Sequence, residues 1–321
     1  MIDALVSEQD IVAAGNRIRP IAHKTPVLAS ESINRLAGCN IHFKCENFQR
    51  SGSFKFRGAC NAVALLRSRE QIGVVATHSS GNHGAALALA AAIHGLKAYV
   101  VMPESALMIK RKAVQDYGAQ VILCEPSMDS RERTLEELRE RTGAYFIPPY
   151  NHPWIIAGQA TAATELIAAE PDIDCLLTPL GGGGLLSGSA LAARYSGRDI
   201  EVMGAEPSGA DDAFRSMADN RIYPSINPQT ICDGLLTSLG DVTFPIIRDN
   251  VHAILTVDDG TVIEAMKLIW TRMKIVVEPS SAIALAAVLC NRTKFHGRNV
   301  GVILSGGNIE PAKALKLFLQ G

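Results

Sequence analysis

The 321-residue sequence predicts an α/β fold of parallel-rich sheets wrapped by helices and divided into two lobes. Three observations predict it. A short apolar run, a Gly- or Ser-rich turn and an amphipathic stretch recur as a unit along the chain. The apolar runs are continuous rather than alternating, which is the pattern of strands buried on both faces of a parallel sheet. Finally, the segment 144–160, "YFIPPYNHPWIIAGQAT", breaks the series with prolines and aromatics and predicts a crossover between lobes rather than a helix.

The units follow in order. "GVVATHSSGNHGAALALAAAIHG" (73–95) reads as strand, loop and helix, and "KAYVVMPESALMIKRKAVQDYG" (97–118) repeats it. "AQVILCEPSMDSRERTLEELRERTG" (119–143) does so again, with Asp129 or Ser130 expected as the helix N-cap. After the crossover, "IDCLLTPLGGGGLLSGSALAARY" (173–195) and "IEVMGAEPSGADDAF" (200–214) resume the alternation, and "NVGVILSGGN" (299–308) ends it. This places a smaller domain at 74–147, inserted in a larger one built from 1–73 and 148–321. Ligands in such sheets sit at the carboxyl ends of the strands, where the loops gather.

Composition narrows the function. Hydrophobic residues make up 47% and charged residues 20%, as in a soluble globular protein, and the formal net charge of −1 leaves no electrostatic footprint for nucleic acid or an anionic membrane. Apolar runs such as "GAALALAAAI" are too short to span a bilayer, and "MIDALVSEQD" has no signal-peptide pattern. The 7 cysteines are dispersed, with no CxxC or metal spacing, which reads as reduced thiols of a cytoplasmic protein.

Four loops carry unusual chemistry. In "SGSFKFRGA" (51–59), Lys55 stands between Phe54 and Phe56, where lost hydration would lower its pKa toward that of a nucleophilic amine. Alone, the stretch equally fits a surface lysine beside core aromatics. "GGGGLLSG" (181–188) lies between a strand and a helix, so its backbone amides suit a phosphate, although a glycine run is also a flexible turn. It is neither GxGxxG nor a P-loop, which disfavours dinucleotide and ATP-hydrolysis chemistry. "SSGNHG" (79–84) offers Ser79, Ser80 and the bifunctional Asn82 at a helix start. "LSGGN" (304–308) places Ser305 at a strand end. A restricted lysine, a phosphate cradle and two polar loops are together the set that pyridoxal 5′-phosphate needs.

In this order the four motifs resemble the fold-type II pyridoxal-phosphate enzymes (tryptophan synthase β-like), in the branch of serine racemase, serine/threonine dehydratase and 3-hydroxyaspartate dehydratase. The likeness spans roughly residues 10–310. It implies that Lys55 carries the cofactor as a Schiff base, with Phe54 beside the ring and Asn82 at its O3′. Backbone amides of Gly181, Gly182, Gly183, Gly184 and Leu185 would hold the phosphate, and Ser305 would face the pyridine nitrogen. Ser79, Ser80, Asn82 and His83 match the loop around the substrate carboxylate, and Ser80 matches the racemase acid–base on the opposite ring face. A hydroxyl at the ring nitrogen leaves it largely unprotonated, which suits prompt loss of a β-substituent rather than transamination.

Further implications concern metal and substrate. "EPSGADD" (206–212) resembles the divalent-cation site of the racemase branch, with Glu206, Asp212 and the Ala210 carbonyl as ligands for Mg²⁺, or Ca²⁺ or Mn²⁺. Without the resemblance it reads as an acidic turn. Arg131 matches a small-lobe arginine that closes over the substrate, where a guanidinium would favour a β-carboxylate, and His152 is a second candidate donor. Arg131 equally fits a solvated helix start. The expected activity is elimination of water from a small β-hydroxy amino acid, 3-hydroxyaspartate or serine, with serine racemase and threonine/serine deaminase as alternatives and a homodimer as the expected assembly. Ala85 stands where the racemase branch commonly carries glutamine, which counts against nucleotide activation.

Overall fold

A computed structural model of the chain describes residues 5–69, 72–79, 81–106 and 108–320. The first part of the chain gives α1 (Glu8–Ile18), β1 (Val27–Leu28), α2 (Glu31–Ala37), β2 (Asn40–Cys45) and α3 (Lys55–Arg69). Next come β3 (Val74–His78), α4 (Asn82–Ile93), β4 (Lys97–Pro103), α5 (Met108–Asp116), β5 (Gln120–Cys124), α6 (Met128–Thr142) and β6 (Tyr145–Phe146). Then follow α7 (Pro153–Ala169), β7 (Cys175–Pro179), α8 (Gly184–Tyr195), β8 (Glu201–Pro207), α9 (Asp212–Ala218), α10 (Thr243–Asn250) and β9 (Ala253–Val257). The last elements are α11 (Asp259–Leu268), α12 (Pro279–Cys290), α13 (Arg292–Phe295), β10 (Asn299–Leu304) and α14 (Pro311–Gln320).

The strands form two sheets. One has six strands in the order β1-β2-β10-β7-β8-β9, and the other has four in the order β5-β4-β3-β6. Every pairing within these sheets is parallel except β1 with β2. β7 is buried throughout, and β8 and β10 at all but their first residue, which is why their sequences run apolar without alternation. β10 lies between β2 and β7, so the ends of the chain close one sheet.

The helices that cover the sheets are set by local signals. Ser7 and Asp10 form a reciprocal capping box on α1, and Asp258 caps α11 through the Thr261 amide. The cap of α6 is Ser127, whose hydroxyl accepts from Ser130 N at 3.1 Å; neither Asp129 nor Ser130 takes that place. The proline-rich segment also differs from expectation. Residues 153–160 are helical, because Pro153 sits in the first turn of α7, where no N–H is needed, and the His152 ring caps it. α4, α7 and α12 are Ala-rich and buried on most of their surface, so small side chains let them pack closely against the sheets and against neighbouring helices such as α3, α8 and α11. α3 and α7 approach tightly. A Cβ on Gly158 would stand 2.6 Å from the Gly58 Cα, and the Gly58 amide donates to Gln159 Oε1 at 3.2 Å.

Candidate active site

Lys55 is the first residue of α3 and is half-buried. Its Nζ donates to the Pro149 carbonyl at 2.8 Å and lies 5.2 Å from the centroid of the Phe54 ring. Among the described residues no carboxylate pairs with it, and burial lowers its pKa to about 8. The loop bearing it is clasped to the end of β10: Phe54 N donates to Ser305 O at 3.0 Å, Gly307 N to Gly52 O at 3.0 Å, and Ser53 bridges Gly306. The sequence motifs of Lys55 and Ser305 are thus one piece of structure. Ser305 itself is buried, with its hydroxyl 3.5 Å from the Ser280 carbonyl.

Asn82 opens α4 and is held from both ends. Its Nδ2 donates to Glu278 Oε1 at 2.6 Å, while Asn308 Nδ2 donates to its Oδ1 at 2.9 Å and to the Ser51 carbonyl at 2.8 Å. Glu278 is buried, which raises its pKa to about 7, with nearby Asp233 adding to the rise. A cavity of about 270 Å³ opens beyond this trio toward Lys110, Tyr117 and Lys313. Neither Lys55 nor the glycine loop lines it. Lys110 crosses it to Asp233 at 2.6 Å.

The glycine run follows β7 and leads into α8. The first bond of the helix is from Ser187 N to Gly183 O, so the preceding amides have no intrahelical acceptor. Gly183 has φ +89°, where a side chain would be strained. A Cβ on Gly182 would fall 2.5 Å from the Tyr150 ring, and one on Gly181 3.0 Å from the Leu235 Cα. Tyr150 follows Pro149, so one short segment meets both Lys55 and the glycine loop. That adds Tyr150 and Pro149 to the candidate site, together with Glu278 and Asn308. The sequence signals were the proline–aromatic segment for the first pair and, for Asn308, the last letter of "LSGGN". Glu278 gave none beyond an acid before an apolar helix.

The free amides at the α8 N-terminus, the low-pKa amine and buried hydroxyls without partners at Ser51 and Ser53 fit pyridoxal phosphate. His83 is buried, with Nε2 3.1 Å from the Ile147 carbonyl. Burial and the charge of Lys55 depress its pKa to about 3, so it is neutral near pH 7. His78 stacks on Phe146 and is depressed by burial and by Arg131. A row of electrostatic neighbours thus leads from Lys55 through His83 and His78 to Arg131. The Nε of Arg131 is buried without a hydrogen-bond partner. His152 is engaged as the cap of α7 and packs edge-on against Trp154. Ser79 ends the β3 loop, and Ser80 lies outside the described residues.

Glu206 lies near the end of β8, Asp212 starts α9 and Ala210 ends the single turn between them; all three are buried. Glu206 accepts the amides of Ala213 and Phe214 at 2.9 and 2.8 Å, while Asp212 Oδ2 has no partner. Among the described residues no cluster of three His, Cys, Asp or Glu side chains could hold a metal, so a cation here would need the backbone carbonyl and water.

The sequence profile described as pyridoxal-phosphate dependent enzyme matches residues 18–306. The chain belongs to this family. Among relatives of this pyridoxal-phosphate dependent enzyme, a β-hydroxyaspartate dehydratase of Paracoccus denitrificans is 44% identical over 302 residues, covering 94% of this chain and 96% of its own. The structure of a serine racemase from Dictyostelium discoideum superposes with a TM-score of 0.91 at 46% identity, covering 96% of this chain and 100% of that one. The structure of a T.th. threonine deaminase superposes at 0.90 with 41% identity, covering 95% and 99%.

Proposed function

We infer that the protein is a dehydratase that eliminates water from a small β-hydroxy amino acid, 3-hydroxyaspartate first and serine second. The observation that carries this reading is the Lys55 amine, unpaired with any described carboxylate and held between the β10 loop and Pro149. Pyridoxal phosphate, when bound, supplies the electron sink that acidifies the substrate Cα–H. Lys55 takes that proton, and a pKa of about 8 leaves a useful fraction of free amine near neutral pH. Amides of Gly181 to Leu185 would hold the phosphate, Asn82 would offer its remaining Nδ2–H to the ring oxygen, and Phe54 would lie beside the ring. Ser305 would present a hydroxyl, not a carboxylate, to the ring nitrogen. Ser79, Ser80 and His83 would receive the substrate α-carboxylate, with the N-terminus of α4 adding its partial positive charge.

The β-hydroxyl departs as water, taking a proton from the Lys55 ammonium that formed when the Cα proton was removed. The enamine that results hydrolyses to a 2-oxo acid and ammonia, giving oxaloacetate from 3-hydroxyaspartate. Arg131, whose buried Nε lacks a hydrogen-bond partner, pairs with the β-carboxylate, and the 44%-identical β-hydroxyaspartate dehydratase supports that substrate. The domain 74–147 closes over it. The similarity to serine racemase favours a second reading in which Ser80 returns a proton to the opposite face and inverts Cα.

Glu206, Asp212 and the Ala210 carbonyl bind Mg²⁺, with Ca²⁺ or Mn²⁺ as substitutes. The unpartnered Asp212 oxygen and the burial of both carboxylates support this. Seven free cysteines accord with a cytoplasmic setting, and a homodimer is the proposed assembly. The test is oxo-acid release from the isomers of 3-hydroxyaspartate, serine and threonine, with chiral analysis of remaining substrate. Preference for hydroxyaspartate supports the first reading and inversion of serine the second. No oxo acid and no inversion with any isomer would sink both.

A further inference from the structure

Behind Lys55 lies a set of buried charges that this chemistry does not use. Arg57, two residues on in the first turn of α3, is wholly buried. Its Nε and Nη2 donate to the two oxygens of Glu46 at 2.7 and 2.9 Å. Its Nη1 and Nη2 donate to the two oxygens of Glu165 at 2.8 and 2.9 Å, and Nη1 also reaches Thr161 Oγ1 at 3.1 Å. Lys44 Nζ completes the group, donating to Glu165 at 2.6 Å and to the Thr25 carbonyl at 2.7 Å. Two cations face two carboxylates, and only Glu165 is partly open, at 24% exposure.

Stability alone does not call for such a group. Burying four charges carries a desolvation cost that apolar side chains of similar size avoid. What the charges add is direction, because a guanidinium bonded in pairs to two carboxylates has a single orientation. The partners are the end of β2, through Glu46, and α7, through Thr161 and Glu165. α7 is the helix whose leading segment carries the Pro149 carbonyl, the acceptor of the Lys55 amine. Alongside, α3 and α7 meet backbone to backbone at Gly58 and Gly158. Arg57 therefore ties the helix that bears the amine to the helix that follows the amine's acceptor.

We propose that Arg57 is a positioning residue for Lys55, locking the first turn of α3 against α7 through Glu46 and Glu165 so that the amine returns to one place at every turnover. The inference rests on the reading of Lys55 as the cofactor lysine and base. A shift of the amine by an ångström costs about a hundredfold in rate where geometry governs the step.

Two variants of the holoenzyme test it. Glu165→Gln keeps the shape at the partly exposed edge, and Arg57→Lys keeps the charge but loses the fork. Per cofactor bound, kcat is expected to fall three- to tenfold in the first and ten- to hundredfold in the second, with KM within twofold. The acid limb of the kcat–pH profile is expected to move up by half a unit or more as the loosened amine gains water. Wild-type kcat per cofactor with an unmoved pH profile would make the clamp merely structural and overturn the proposal. If Arg57→Lys does not fold, Glu165→Gln decides by the same two criteria. Failure of the underlying reading shows separately: borohydride reduction of the wild-type holoenzyme would then leave the peptide around residue 55 unmodified.

Discussion

The ring of Tyr150 lies where a Cβ on Gly182 would have to stand, 2.5 Å from three of its carbons. The glycine is therefore demanded by a protein neighbour as well as by any phosphate. Gly182→Ala is expected to cost about 1–3 kcal/mol through overpacking and to weaken cofactor retention. Adding Tyr150→Ala should restore part of both, since residues in contact couple rather than add. Melting temperature and cofactor content of the single and double variants measure this, and strictly additive losses would refute the contact.

Lys55→Ala should lower turnover by at least about 10²–10⁴-fold, the range for loss of a positioned proton acceptor. The variant should also lose the label that borohydride leaves on the wild-type peptide. Peptide mapping after reduction reads the result directly.

Arg131→Ala should discriminate between substrates. A lost pair between guanidinium and β-carboxylate is expected to reduce kcat/KM for 3-hydroxyaspartate by about 10²-fold, in line with the 2–5 kcal/mol typical of truncating a buried charge pair. Serine has no β-carboxylate and should change less than threefold. Equal losses on both substrates would mean that Arg131 does not read that group.

Glu278 makes stability depend on pH. Its folded pKa of about 7 lies above the ordinary carboxylate value of 4.5, so the folded protein binds the extra proton between those limits. Stability from this group is present below pH 4.5 and is lost as pH rises through 7, by up to about 3 kcal/mol. Glu278→Gln should remove that slope. Urea unfolding of both proteins at pH 5 and pH 8 checks it, and parallel slopes would contradict it.

The proposed cation site predicts a ligand effect on folding. Mg²⁺ at a hundred times its dissociation constant should add about 2.7 kcal/mol to stability. Asp212→Asn should lose most of that gain. Melting curves with and without Mg²⁺ compare the two, and equal shifts would place the ion elsewhere.

The strand–turn–helix units were legible because each is encoded locally. The apolar run, the turn and the amphipathic stretch lie within some 25 residues. The departures also have local causes. Three cap-competent residues crowd "SMDS", and Ser127, directly before the first turn of α6, takes the role. The prolines of 144–160 hid the start of α7 because Pro153 falls where a helix tolerates it. The motif loops were legible as chemistry, since a restricted lysine and free amides each imply a kind of ligand. What could not be read was which distant residues fix them. Asn308 reaches Asn82 across 226 positions, and Glu165 reaches Arg57 across 108. No local pattern records such pairings, because burial and geometry select them only after the sheets have assembled.

The place of β10 bears on how the protein is made. It is the last strand in chain order, yet it sits in the middle of its sheet, between β2 and β7. During synthesis both neighbours emerge early with naked hydrogen-bonding edges and must wait for it. Ser305 and Asn308 arrive with that strand, so a nascent chain stopped short of it would have neither a finished sheet nor a place for its vitamin.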